Sequence, residues 1–573
     1  MVDKQPGTIA PIKSTAPYAG GYFFDRSTSG FDAIAGPRVR AELRLYDLDW
    51  LGAGSRLVLG GQYQYDDVRG SQGGALLQVR VPFGPGASRP MNRLQRRMLN
   101  AIVRDDDIVT NTGRRADERA LLAKTNQRIN AVTVVDGMTS NVPGVVAAAS
   151  NDPGDLVVFD SSQGTIQPSA TIQLQPGQTI GGQFQVIGET TGAIVTFGQR
   201  PTVSDPTNVF DIFTLDDGTS LLGLNITGGA NGIGGDDVTG FSLCDNHVSS
   251  AVGSNQGEGL GNGLRLQGEN SGQIIYNVFM GNETNGLQIR EFTGGLISGN
   301  TASQNGDDGF DIGNVEVGGF SGGIFENNVA NENMDDGFDF VVIEGGEIRN
   351  NRATGNSENG FKILEMDAGI FSGNISGQNG DDGFDFDGFL GGVFENNSAS
   401  GNSDDGFDFE FVEGGEIRNN RATGNSENGF EIFEMDAGII SGNIASQSGD
   451  DGFDFGGFLG GVFENNSASG NSDDGFDFEF VEGGVIRNNR ATNSDENGFD
   501  FDLIEGGQIT NNQAADNTED GFFIFRFAGQ NMATFANNSA LRNTVNGYNI
   551  IMGIPQTGGG NMGSGNGAND VGP

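Results

Sequence analysis

Paired aspartates recur along this chain at fixed spacing, and carboxylates set side by side are the groups that hold hard cations or move protons. Asp381-Asp382, Asp404-Asp405, Asp450-Asp451 and Asp473-Asp474 each run straight into a Gly-Phe step. Asp385, Asp408, Asp454 and Asp477 follow those phenylalanines directly, and Glu431 and Asp500 occupy the same place in other repeats. If the repeats stack like strands, ~4.8 Å apart, the six acids from Asp385 to Asp500 form one file with neighbours about 5 Å apart. Each like-charge contact then costs about 3 kcal/mol at an effective dielectric near 20, and about 0.8 kcal/mol in water. Such a file favours bound cations or raised pKa values. Oxygen-only ligands point to Ca²⁺ rather than zinc or copper. A solvated acidic face without specific ions fits the same residues.

Acid–base catalysis needs one site with a distinct acid and base, whereas every candidate acid here is repeated, so no catalytic residue is assigned. One histidine, His247, excludes sites built from several, and one cysteine, Cys244, excludes an internal disulfide. Arg418, Arg421, Arg487 and Arg490, with Arg349 and Arg352, recur every third repeat, ~14 Å apart. They are candidate contacts to an acidic or sugar polymer, or the counter-charges of Glu347 and Glu416.

The element that positions these groups is a repeat. The glycine of an Asp/Asn-Gly-Phe/Leu/Tyr step recurs at thirteen positions from Gly263 to Gly547, and ten of the twelve intervals are 23 residues. A period in this range means a stacked array. In 401–423, Phe407, Phe409 and Phe411 alternate with Asp408, Glu410 and Val412, which predicts a strand with the phenylalanines on one face and the acids on the other; Gly414-Gly415 breaks it, Ile417 and Arg418 open a second short strand, and Asn419-Asn420 turns again. Three short strands and three turns per repeat predict an all-β fold, a right-handed parallel β-helix solenoid. An inward aromatic column is expected from Phe310 to Tyr548, and an asparagine column from Asn277 to Asn538, stacked and hydrogen-bonded along the axis. A longer period of 69 residues, three coils, overlies the short one.

The net charge of −45 argues against a nucleic-acid partner. No run of 18 apolar residues offers a transmembrane helix, a test that does not reach membrane β-strands. MVDKQPGTIAPIK lacks the apolar core of a signal peptide.

Residues 15–88 are different. Val39, Ala41, Leu43 and Leu45 alternate with Arg40, Glu42 and Arg44, and two further alternating segments follow. Strands of ~10 residues, apolar on one face and polar on the other, mark outer-membrane barrels; a small soluble sheet fits the same alternation. Residues 89–130 carry ten of the 31 basic residues, with Met91, Leu94, Met98 and Ile102 on one side of a helix. The domain reading is a disordered start (1–14), partial barrel-like strands (15–88), a basic helical linker (89–130), irregular N-terminal coils capping the helix (131–255), regular β-helix (256–551) and a flexible Gly-rich tail (552–573).

The series GGYFFD, GPRVRAELRLYD, GGQYQYDDVRG, LQVRVPFG and RLQRRMLNAIVRDDDIVT resembles the closing portion of an inverse-autotransporter (intimin/invasin-type) barrel. That resemblance implies an outer-membrane anchor with the β-helix as exported passenger, a non-enzymatic stalk or adhesin on a Gram-negative-type surface. It departs from the family in having three or four strands, too few to close a barrel alone. Residues 260–550 resemble the PbH1-repeat, pectin-lyase-like families, which implies the alternative, a surface or secreted polysaccharide lyase or epimerase. The Gly-His-Gly and Arg-Ile-Lys of polygalacturonases are absent from the sequence. The expected partners are the outer membrane and a polysaccharide or host-surface ligand, and the expected cofactor is Ca²⁺.

Overall fold

In the regular coils a strand opening on phenylalanine, a turn at Gly-Gly or Ala-Gly, a three-residue strand, a second turn and another three-residue strand follow one another, as in Phe407–Val412, Glu416–Arg418 and Arg421–Thr423. The computed structural model describes residues 12–24, 34–48, 50–66, 70–81, 118–123, 126–253, 260–313, 318–528, 533–553, 555 and 557–569. It divides the chain into two compact units, Met1–Glu118 and Arg119–Pro573.

In the second unit the first two strands of each coil join one 32-stranded sheet and the third strands join a 16-stranded sheet. Coil-to-coil pairing is parallel and in register: Phe384 lies beside Phe407, and Phe407 beside Phe430. The turns follow their residues. Gly415 has φ +76° and Asn419 φ +55°, conformations that glycine and asparagine adopt at least cost. The glycine before each phenylalanine has another reason: a Cβ at Gly383 would lie 2.5 Å from the carbonyl oxygen of Gly406 in the next coil.

Both expected columns are present, but the strict alternation stops after Phe409: Glu410 and Phe411 both face outward, so Phe411, expected on the face of Phe407 and Phe409, is 39% exposed and Val412 is buried in its place. Phe338, Phe361, Phe384 and Phe407 stack at 4.6–4.9 Å between ring centroids, nearly coplanar and fully buried. In the asparagine column, Asn420 Nδ2 donates to Asn443 Oδ1 at 3.0 Å and to the carbonyl of Phe394 at 3.1 Å. A second buried asparagine column, Asn356–Asn379–Asn402–Asn425, runs beside it. Each amide replaces water for a backbone group that the turn would otherwise leave unpaired.

Three boundaries differ from the sequence reading. The basic helix expected at 89–130 lies, up to residue 117, outside the described residues, and beyond it Ala120–Leu122 and Gln127–Arg128 are strands. They join Phe184–Gly188 and Ile194–Phe197 in a small antiparallel sheet. The Gly-rich tail is also ordered in part: Thr557–Gly559 and Met562–Ser564 extend the two large sheets. Asn561 and Asn566 explain this, because they continue the two asparagine columns, accepting from the N–H groups of Asn538 and Asn543. A strand begins at Ile12, inside the segment 1–14 expected to be disordered, and residues 1–11 lie outside the described residues.

The first unit holds four antiparallel strands in sequence order, β1 (Ile12–Phe24), β2 (Ile34–Tyr46), β3 (Arg56–Asp66) and β4 (Gly70–Arg80). Its two faces are inverted relative to a water-soluble sheet. Val39 opposes Tyr63, and Leu59 opposes Leu77, yet these side chains are 42–68% exposed. Buried instead are Glu42, Arg56, Gln64 and Asp66, with Val58 among them, while on the edge strand β4 the polar Ser71, Gln72, Gln78 and Arg80 are exposed along with the apolar residues. Arg40 and Arg44 both pair with Glu42 (2.6 and 2.5 Å), and Gln64 donates to Gln72. Burial alone would raise the Glu42 pKa, but Arg44 and Arg40 outweigh it and hold the carboxyl below its ordinary value.

Candidate functional site

The acids resolve into three files with different jobs. The second member of each pair, Asp382, Asp405, Asp451 and Asp474, is buried beneath the turn. The N–H of Asp405 donates to Asp382 Oδ1 at 2.8 Å, and the N–H of Asp474 donates to Asp451 Oδ1 at 2.6 Å. Asn428 stands in the same file and accepts from Asp451. These aspartates therefore do the structural work of ladder asparagines.

The first members of the pairs lie at the surface of the turn, Asp381, Asp404 and Asp473 half-buried and Asp450 exposed. The third file is in strand register as expected: Asp385 beside Asp408, Asp408 beside Glu431, Asp454 beside Asp477, Asp477 beside Asp500. Carboxylate oxygens converge to within 4.8 Å in the sets Asp381/Asp382/Asp404, Asp382/Asp385/Asp408 and Asp404/Asp405/Glu427. The donors are oxygen only, which suits a hard cation such as Ca²⁺.

Crowding and burial shift these groups strongly. Burial first, then Glu431 and Asp385, push Asp408 up to about 8. Burial and Asp454 push Asp477 to about 8, and Asp382 and Asp451 reach about 8 and about 9 for the same reasons. Asp385 and Asp454 reach about 6. Asp405, facing Glu431, is raised further still.

One residue escaped the sequence reading. Lys362 is the sole lysine between residues 131 and 573, and it stands in the strand file between Asp339 and Asp385. Burial works against its charge, but Asp336, Asp385 and Asp339 outweigh that and raise its pKa. It is a tethered counter-cation, not a neutral amine poised to take a proton. Its signal was available: a unique residue type in a repetitive file.

The arginines divide. Arg418 pairs with Glu395 and Glu416 at 2.9 and 2.6 Å, and Arg487 with Glu464 at 2.6 Å, so these two serve as counter-charges. Arg421 and Arg490 are exposed on the 16-stranded sheet, in a column separate from the acids. Cys244 is buried beside a cavity of about 500 Å³ lined also by Leu122, Phe184, Leu222 and Tyr276. The adjacent Asp245 is held by Arg200 at 2.7 Å.

The family model described as the right-handed beta helix region matches residues 313–438 and 414–562. The solenoid is a right-handed β-helix. No curated protein matches the chain. Among solved structures it is similar to the A-module of the mannuronan C-5 epimerase AlgE6 of Azotobacter vinelandii, at 14% identity and TM-score 0.22, over 76% of this chain and 97% of that one. It is also similar to the catalytic unit of a thermostable α-1,3-glucanase from Streptomyces thermodiastaticus, at 11% identity and TM-score 0.25, over 98% and 97% of the two chains. Similarity at this level reaches neither activity nor substrate.

Proposed function

We propose that this is a non-enzymatic protein of a Gram-negative-type cell surface. Its four-stranded sheet would form part of a barrel wall in the outer membrane, and its right-handed β-helix would be the exported stalk or adhesin. The observation that carries this reading is the inverted sheet. Leu77 is 68% exposed and Val39 51%, whereas Glu42 is 4% and Asp66 2% exposed. Water penalises that arrangement, and a lipid-facing exterior with a polar interior requires it. The repeated acids and the charged state of Lys362 support a structural stalk over a lyase or epimerase, because no position combines a unique base with a unique acid. The half-buried acid file belongs to the same reading as a set of Ca²⁺ positions.

The test is expression of the full chain in a Gram-negative host, followed by membrane fractionation and protease treatment of intact cells. Recovery in the outer-membrane fraction, with the β-helix cut from outside, is expected. Quantitative recovery in the cytosolic fraction would overturn the proposal.

A further inference from the structure

Halfway along the first strand of each coil two consecutive residues face outward, and in the middle coils their pattern is not set by the fold. In hydrogen-bonded register, Glu365 lies beside Gly388, Gly388 beside Phe411, Phe411 beside Glu434, Glu434 beside Gly457, and Gly457 beside Phe480. The order Glu–Gly–Phe thus occurs twice along one file, three coils apart. Phe411 is 39% exposed, although Phe409, two residues earlier, is completely buried; Phe433, in the adjoining file, is 57% exposed and meets Phe411 edge to face at 6.2 Å. Phe480 is partly exposed.

The two glycines are the informative residues. A Cβ at Gly388 would come no nearer than 3.6 Å to any atom, and one at Gly457 no nearer than 3.7 Å, both ordinary contacts. Neither glycine has a positive φ. Backbone geometry therefore does not demand glycine there, in contrast to Gly383 or Gly415. What each glycine does is leave no side chain in the file between a glutamate and a phenylalanine; Gly388 itself is half-buried and Gly457 is buried.

An aromatic ring and a carboxylate with no side chain between them are a seat for an organic cation: the ring attracts it within ~6 Å of its centroid and the carboxylate pairs with it. The net charge of −45 draws such a partner in. Two seats of the same residue order three coils apart are ~14 Å apart, and an extended polypeptide rising ~3.3 Å per residue places residues i and i+4 ~13 Å apart on one face. We infer that Glu365–Gly388–Phe411 and Glu434–Gly457–Phe480 bind an extended basic polypeptide segment through arginine or lysine side chains four residues apart.

The test uses the full chain and two labelled Gly/Ser peptides, each with two arginines, four or three residues apart, followed by fluorescence anisotropy. The i, i+4 peptide is expected to bind at least tenfold more tightly than the i, i+3 peptide. The double variant F411A/F480A and the gap-filling double variant G388V/G457V should each lose that preference, and F411A/F480A should do so with unchanged circular dichroism melting because neither ring is part of the buried core. Equal affinity for both peptides, or binding unchanged in both double variants, would overturn the inference and leave net charge as the cause. Cellohexaose competing equally well in the wild type would also overturn it, assigning the seats to a neutral glycan.

Discussion

Asp405 Oδ1 accepts a hydrogen bond from the N–H of Asn428 at 2.6 Å, and Asn428 Oδ1 in turn accepts from the N–H of Asp451 at 3.0 Å. Aspartate and asparagine are thus interchangeable in this file, and what separates them is a charge that the buried site disfavours.

The first prediction concerns pH. The carboxyl pKa values are raised in the folded state by burial and by neighbouring carboxylates, to about 8 at Asp382, Asp408 and Asp477 and about 9 at Asp451, against an ordinary 3.8. The folded protein therefore binds protons that the unfolded chain has released, so stability is greatest below the ordinary value and falls as pH rises through about 8 to 9. In chelator, the melting temperature should drop by several degrees between pH 5 and pH 9. The double variant D382N/D451N should melt higher than wild type at pH 8.5 and show a shallower slope. A flat wild-type profile sinks this account.

The second concerns cations. At pH 8, millimolar Ca²⁺ should raise the melting temperature above that in chelator, because it neutralises the same acids. At pH 5 protons occupy those acids, and the Ca²⁺ effect should shrink. An identical melting temperature with Ca²⁺ and chelator at pH 8 rules out ordered calcium.

The third concerns Lys362. Replacing it by methionine keeps the packing of its stem and removes the ammonium between Asp339 and Asp385. K362M should be destabilised at pH 8 in chelator and recover at pH 5, where the aspartates carry protons. Loss of stability equal at both pH values would assign the residue a packing role only.

The fourth concerns the ladder. Asn420→Ala leaves the N–H of Asn397 and the carbonyl of Phe394 without their side-chain partners inside the solenoid. Each buried orphan costs about 1–3 kcal/mol, so chemical denaturation should show a loss of ~2–5 kcal/mol. Asn420→Asp should be milder at pH 5 than at pH 8.

The solenoid was legible because its period, its inward phenylalanines and its asparagine column are local and repeated. The ordered coil at 557–569 is masked in the sequence by its Gly-rich composition, although the spacing of Asn561 and Asn566 continues the columns. The paired aspartates were recognised as a file, yet their division of labour depends on which member the turn buries. Only three-dimensional stacking shows that Asp382 faces a backbone N–H while Asp381 faces the surface. The locked state of Arg418 was likewise hidden, since Glu395 is 23 residues away in sequence and one coil away in space.

The 69-residue repeat carries a consequence at the level of the gene. Excising or duplicating one such block would set Phe384 where Phe453 stood and leave every buried column with the same neighbours. Unequal recombination between these near-identical segments would therefore yield shorter or longer rods that still fold, making reach a trait that can drift between lineages without a single new core contact.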